Sequence, residues 1–131
     1  MHDELATLDA TAQADLVRCG ELSPIDLVDA AIERIERIDP KLNAVTIRLF
    51  DQARGYAASA SVPDGPFRGV PLLLKDYFCH SAGDPYYAGT RFLKELDWHE
   101  DRDTYLAARF RSAGSMSSSR RSSIRARAAA T

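Results

Sequence analysis

No apolar stretch in the chain approaches the ~20 residues a membrane-spanning helix needs; the longest is Gly69 to Leu74. The start, Met1-His2-Asp3-Glu4-Leu5, lacks the basic and apolar regions of a secretory signal, so the protein is expected in the cytoplasm. Cysteine is scarce. Cys19 and Cys79 stand sixty positions apart, which excludes a disulfide scaffold and a zinc-type spacing and reads as two reduced thiols. Neither sign of charge dominates: 17 Lys and Arg face 19 Asp and Glu, a net of −2 over 131 residues, too balanced for nucleic-acid or membrane binding by long-range attraction. Glycine and acidic residues are both missing after Gly114, so residues 1–114 carry a net of −6 and residues 115–131 a net of +4. What is there in quantity, 45% hydrophobic and 27% charged residues, suits an ordinary globular fold.

Leu5, Leu8, Ala12, Leu16 and Cys19 recur at steps of three or four, predicting one helix that Gly20 stops. Ser23-Pro24-Ile25-Asp26 then opens a second helix with a capping hydroxyl, proline at the first helical position and an acid in the first turn. Val28, Ala31, Ile32, Ile35 and Ile38 form its buried stripe, and Asp39-Pro40 is expected to end it, because the residue before proline is pushed out of the α region. Ala44 to Phe50 alternates as a half-buried strand, Asp51 to Ala60 favours helix, and Ser61 to Arg68 is a loop by its Pro63, Gly65 and Pro66. Gly69 to Leu74 predicts a strand buried on both faces, cut off by Lys75-Asp76. His80 to Trp98 reads as irregular, and a last helix runs from Asp103-Thr104 to Gly114. Strands alternating with helices make the fold class α/β.

Open α/β sheets place their sites beyond the carboxyl ends of the strands, and Lys75 stands at such an end. By position alone, a lysine there is more often a solvated strand end paired with its neighbouring acid, here Asp76. The surrounding residues, Gly65-Pro66-Phe67-Arg68-Gly69-Val70-Pro71-Leu72-Leu73-Leu74-Lys75-Asp76, closely resemble the lysine-bearing segment of the amidase signature family. The capped helix from Gly20 to Ile38, Asp39 to Val45, Ala88 to Leu93 and the helix from Asp103 to Gly114 follow that family's order. The resemblance spans about residues 9 to 114 and covers the N-terminal minority of a typical member.

That resemblance implies an N-terminal fragment of the amidase signature fold: a helix pair, then strands of a mixed sheet alternating with helices, incomplete. It implies hydrolysis of carboxylic amides through a Ser, cis-Ser, Lys triad, with Lys75 as general base and neither a cofactor nor a metal. Such a base must be largely neutral, which drying at the end of a buried strand would achieve. The implied partner is a small-molecule amide, with room for a homo-oligomer and none for specific nucleic acid or membrane. Both serines and the glycine-serine-rich oxyanion loop of the family are missing. Ser117, Ser118, Ser119, Ser122 and Ser123 lack the glycines that would let backbone N–H groups reach an oxyanion. Residues 1–114 are therefore expected to be the N-terminal part of an amidase domain, inactive alone, and residues 115–131 a disordered Ser/Arg/Ala tail from truncation or a shifted frame. The alternative is a non-enzymatic interaction module with a basic tail. Cys79 and His80, neighbours on an extended segment, point apart and read as loop residues; His99 reads as isolated and solvated. Asp76 is expected to orient the strand end or the loop that follows, and Tyr77, Phe78, Tyr86, Tyr87, Phe92 and Trp98 suit either packing at a site entrance or substrate contact.

Overall fold

The computed structural model describes residues 2–121, in the order α1 (His2–Leu5), α2 (Ala10–Arg18), α3 (Pro24–Leu42), β1 (Val45–Arg48), α4 (Phe50–Ala57), β2 (Pro71–Lys75), α5 (Arg91–Glu95), α6 (Tyr105–Ser112) and β3 (Met116–Arg121). The strands form one mixed sheet of order β1-β3-β2, with β3 antiparallel to β1 and parallel to β2. Parallel neighbours need a long crossover, and the segment from Asp76 to Ser115, with α5 and α6, provides it. The α/β class and the mixed sheet agree with the sequence reading.

The helix expected from Leu5 to Cys19 is two. Asp9 caps α2 by accepting the Ala12 N–H at 2.8 Å, and the Gln13 side chain seals the break by donating to the carbonyls of Leu5 and Leu8 at 3.1 and 3.2 Å. Helix α3 starts as read, with a capping box in which Ser23 and Asp26 each hold the other's backbone N–H. It does not stop at Asp39-Pro40. The helix runs through Pro40 to Leu42 and closes on Asn43 in the left-handed region (φ 49°), whose N–H bonds the Asp39 carbonyl. The Asp39 side chain makes this end stable: it accepts the N–H groups of Ala44 at 2.8 Å and Val45 at 3.0 Å and faces Arg48 at 3.4 Å.

Asp39 is buried, and the Val45 N–H, seconded by Ala44 and Arg48, holds its carboxyl below the usual carboxylate range despite the opposing effect of burial. A lowered folded value means stability that is present above the unfolded value of about 4 and lost as pH falls through the lower folded one. Asp39→Ala should cost about 2 kcal/mol at pH 7, since two backbone donors lose their acceptor. Chemical denaturation over a pH series from 7 downward checks both statements: the wild type's advantage over the variant is full at pH 7 and shrinks as pH falls below about 4.

The core is built around α3. Val28 and Ile32 pack against Ala53, Ala57 and Val62, while Leu27 and Ala30 close over Leu5. A separate cluster of Leu74, Cys79 and Ala107, joined by Leu72 and Phe110, fastens α6 to one face of β2. The opposite face of β2 differs from its expected burial. Period-two alternation puts Pro71, Leu73 and Lys75 on that face; Pro71 shares a small pocket with Leu27, Ala30 and Ala31 of α3, but Leu73 is 36% exposed.

The sequence reading put a disordered tail from residue 115. Residues 116–121 are instead the central strand β3, while residues 122–131 lie outside the described residues. Apolar patterning is absent from Met-Ser-Ser-Ser-Arg-Arg, so nothing local announces a strand; its position comes from backbone ladders on both sides, each with a register irregularity.

Candidate active site

Lys75 ends β2, beside β3, with Arg121 as its partner across the ladder. The strand's apolar run places it there. It is exposed, however, rather than dry, because the face it shares with Leu73 is open at this end. Among the described residues no carboxylate or hydroxyl is hydrogen-bonded to its amino group, so the pairing with Asp76 that a solvated strand end would favour is also not made.

Asp76 turns inward instead. It is 4% exposed and accepts the N–H groups of Tyr87 at 3.1 Å and Gly89 at 3.4 Å, so the carboxylate next to Lys75 anchors the loop from Pro85 to Thr90, the second of the two roles read for it from the sequence. Phe78 is held at φ +58°, a region unfavourable for a bulky side chain, with its N–H on the Tyr86 hydroxyl at 3.3 Å. Its ring, 76% exposed, lies 4.0 Å from that of Tyr77. Phe92 and Trp98 are exposed too, while Tyr86 and Tyr87 are half-buried. The Tyr87 hydroxyl donates to Asp97 at 2.8 Å, a bond that raises its pKa. Cys79 is buried against Leu74 and Ala107, and His80 bonds the Arg102 carbonyl at 2.9 Å, so the two do point apart. Neither cysteine is in a disulfide.

His99, read as isolated, is not. Its Nδ1 meets the Gly83 carbonyl at 2.9 Å and its Nε2 lies 3.5 Å from Asp97, and the carbonyl first, then the carboxylate, raise its pKa. The carbonyl arrives from a distant part of the loop, so sequence spacing carried no sign of it.

The segment after Lys75 is pinned by residues far away in sequence. Arg111 of α6 reaches Ser81 at 2.5 Å and both oxygens of Asp103 at 3.1 Å, and Asp103 accepts the Ala82 N–H at 2.7 Å. Burial pushes the Asp103 carboxyl up, but the Ala82 N–H and Arg111 more than reverse this and leave it lowered. Gln52 of α4 donates to the buried Asp84 at 2.8 Å. Gln52, Ser81, Asp84 and Arg111, with Leu72, Leu74 and Phe110, line a cleft of about 120 Å³ between α4, β2 and α6. Lys75 does not line it. Nothing in the sequence around Ser81 or Asp84 pointed to partners 30 and 32 positions distant. Among the described residues no three His, Cys, Asp or Glu side chains are placed to hold a metal ion, and no helix is long and apolar enough to cross a membrane.

An α/β chain that carries a lysine at the end of a parallel strand, after a Gly-Pro loop, agrees with a known class of enzyme domain. The profile of the Amidase family matches residues 26–120, ending inside β3, and the chain belongs to that family. It is 45% identical over 106 residues to 6-aminohexanoate-cyclic-dimer hydrolase of Pseudomonas sp. (strain NK87), covering 81% of this chain and 21% of that protein. The solved structure of 6-aminohexanoate cyclic dimer hydrolase complexed with substrate matches with a TM-score of 0.78 at 40% identity, over 87% of this chain and 23% of that one. A bacterial aryl acylamidase of the amidase signature family matches with a TM-score of 0.77 at 30% identity, over 87% of this chain and 25% of that one. The chain thus spans about a fifth of the length of the hydrolase it matches.

Proposed function

We propose that this chain is the lysine-bearing N-terminal part of an amide hydrolase acting on small-molecule amides in the cytoplasm. The observation that carries the reading is Lys75 at the carboxyl end of β2, within the family match and one residue before the buried anchor Asp76. Two cysteines outside any disulfide suit a reducing compartment.

As general base, a neutral Lys75 amine would take the proton of a serine hydroxyl while the oxygen attacks the amide carbonyl carbon. Collapse of the tetrahedral adduct breaks the C–N bond, the relayed proton leaves with the amine, and water then releases the acid from the acyl-enzyme. The serine and the oxyanion donors have to come from polypeptide that this chain does not contain, so the chain alone is inactive. Drying of Lys75, needed for a neutral amine, falls to the same polypeptide, because Lys75 is exposed here.

The test is a fusion of the chain to the part of the Pseudomonas hydrolase that follows its matched fifth, assayed with the 6-aminohexanoate cyclic dimer and simple aryl amides. The fusion should hydrolyse at least one of them, while the 131-residue chain and the hydrolase part alone stay at background. A folded fusion inactive on all of them overturns the proposal and favours the interaction module.

A further inference from the structure

Independently of the amide-hydrolase reading, we infer that His99 is a pH-sensitive clasp between the loop that follows Lys75 and the turn after α5, closed when its ring is protonated and loosened when it is not. Residues 83–87 and 97–100 run side by side. The Gly83 N–H bonds the Glu100 carbonyl at 2.8 Å, the Tyr86 N–H bonds the Trp98 carbonyl at 2.9 Å, and Pro85 pairs with His99 in an antiparallel bridge. His99 stands within this short ribbon with an oxygen facing each ring nitrogen: the Gly83 carbonyl is 2.9 Å from Nδ1 and Asp97 Oδ2 is 3.5 Å from Nε2. A carbonyl and an ionised carboxylate can only accept. A neutral imidazole has one N–H, so it donates to one of these oxygens and turns a lone pair on the other; an imidazolium donates to both.

The second oxygen of Asp97 extends the clasp toward the end of β2. It accepts the Tyr87 hydroxyl at 2.8 Å, and the Tyr87 N–H is held by buried Asp76, one residue after Lys75. One imidazole and one carboxylate thus hold both ends of the segment from Gly83 to Tyr87. The charges acting on the ring are acidic, Asp97 and the buried Asp84. Nearby groups are engaged elsewhere: Glu100 takes the Trp98 indole N–H at 3.1 Å, His80 bonds the Arg102 carbonyl, and Arg102 pairs with Asp101. The Gly83 carbonyl first, then Asp97, carry the His99 pKa above its ordinary value against the opposing effect of desolvation. Asp97 is held below the usual carboxylate range, by the Tyr87 hydroxyl first, so it stays ionised while the ring titrates. A raised folded value means a contribution complete below the unfolded value of about 6.5 and lost as pH rises through the folded one. The His99 and Asp97 side chains are 42% and 73% exposed, so water screens the pair and its effect falls on local opening of the loop.

The test is an NMR titration of the 131-residue chain. The His99 ring should titrate above the ordinary imidazole value of about 6.5, and Asp97→Asn should move its titration back down. Amide exchange at Gly83 and Tyr86 is then measured beside the His99→Gln variant at about pH 5.5 and about pH 8.5, on either side of the imidazole range, so that the intrinsic pH dependence of exchange cancels. At the lower pH the wild type should be about two- to fivefold better protected than the variant, the size an exposed ion pair supports, and at the higher pH the excess should shrink toward nothing. Should the glutamine variant disrupt the ribbon outright, the wild-type titration and Asp97→Asn decide the matter by themselves. A ring that titrates at or below the ordinary value, a titration that Asp97→Asn leaves in place, or an excess of protection equal at both pH values would each overturn the clasp. None of these readouts involves catalysis, so an inactive fusion counts against the amide-hydrolase reading and leaves the clasp untouched.

Discussion

Replacing Lys75 by methionine in the fusion enzyme is expected to lower kcat by about 10⁴-fold with KM little changed, the size of effect seen when a member of a nucleophile–base unit is removed. Methionine keeps most of the apolar stem and deletes only the amine. Arginine keeps the charge but cannot act as a base, because its guanidinium does not give up a proton in proteins, so Lys75→Arg should be as inactive as Lys75→Met. The same two substitutions in the 131-residue chain should change its stability by less than about 0.5 kcal/mol, since Lys75 is exposed and no described carboxylate or hydroxyl bonds to it. That contrast separates a chemical role from a structural one. Steady-state kinetics of the fusion and denaturant unfolding of the chain measure the two halves; a fusion that keeps a tenth of its kcat without the lysine would remove Lys75 from the mechanism.

Gly65→Ala should destabilise the chain by about 3 kcal/mol or more and lower its thermal midpoint by on the order of 10 °C. The Gly-Pro loop before β2 and the end of α6 lock together through backbone: Phe67 donates to the Ala113 carbonyl at 2.8 Å and Gly69 to the Gly114 carbonyl at 3.0 Å. A Cβ on Gly65 would stand 2.4 Å from the Ala113 carbonyl carbon and 2.5 Å from its oxygen, and backbone cannot swing aside as a side chain can. Gly114 closes the lock from the other side; at φ +84° its Cβ would meet the Arg68 Cα at 2.7 Å, so Gly114→Ala adds left-handed strain of about 1 kcal/mol to a similar clash. Gly55→Ala is the contrasting case. It lies inside α4 with nothing within 4 Å of its would-be Cβ and should stabilise by about 0.5–1 kcal/mol. Thermal unfolding of the three variants checks the ranking, and a Gly65→Ala chain as stable as Gly55→Ala would show that the lock is not required. The lock also matters for the site, because it is what sets β2 beside β3 and so places Lys75.

Features that depend on near neighbours were legible in the sequence. Ser23-Pro24-Ile25-Asp26 opens α3, Gly114 ends the last helix, and the alternation of Val45, Thr46, Ile47 and Arg48 is the half-buried pattern of β1. The break between α1 and α2 had a readable sign, Asp9 standing as a capping residue before Ala10, but the apolar spacing from Leu5 onward ran across it. Proline's local preference was a true signal at Pro40 and lost to Asp39, whose carboxylate gathers two N–H groups five and six positions on. Strand β3 had no readable sign, since a central strand takes its hydrogen bonds from whatever lies on either side and its own residues lack alternation.

By itself the sequence determined the family, the α/β class and the placement of Lys75 at the end of an apolar strand, because an apolar run cut off by a charge and a Gly-Pro loop before it are written in consecutive residues. The tertiary structure alone decided that Lys75 stands in water, that Asp76 turns inward to hold the Tyr87–Gly89 loop, and that Ser81 and Asp84 are tied to Arg111 and Gln52. Exposure and long-range hydrogen bonds depend on which elements cover which face. Which element comes to lie over which face is a matter of position in space that the order of residues does not record.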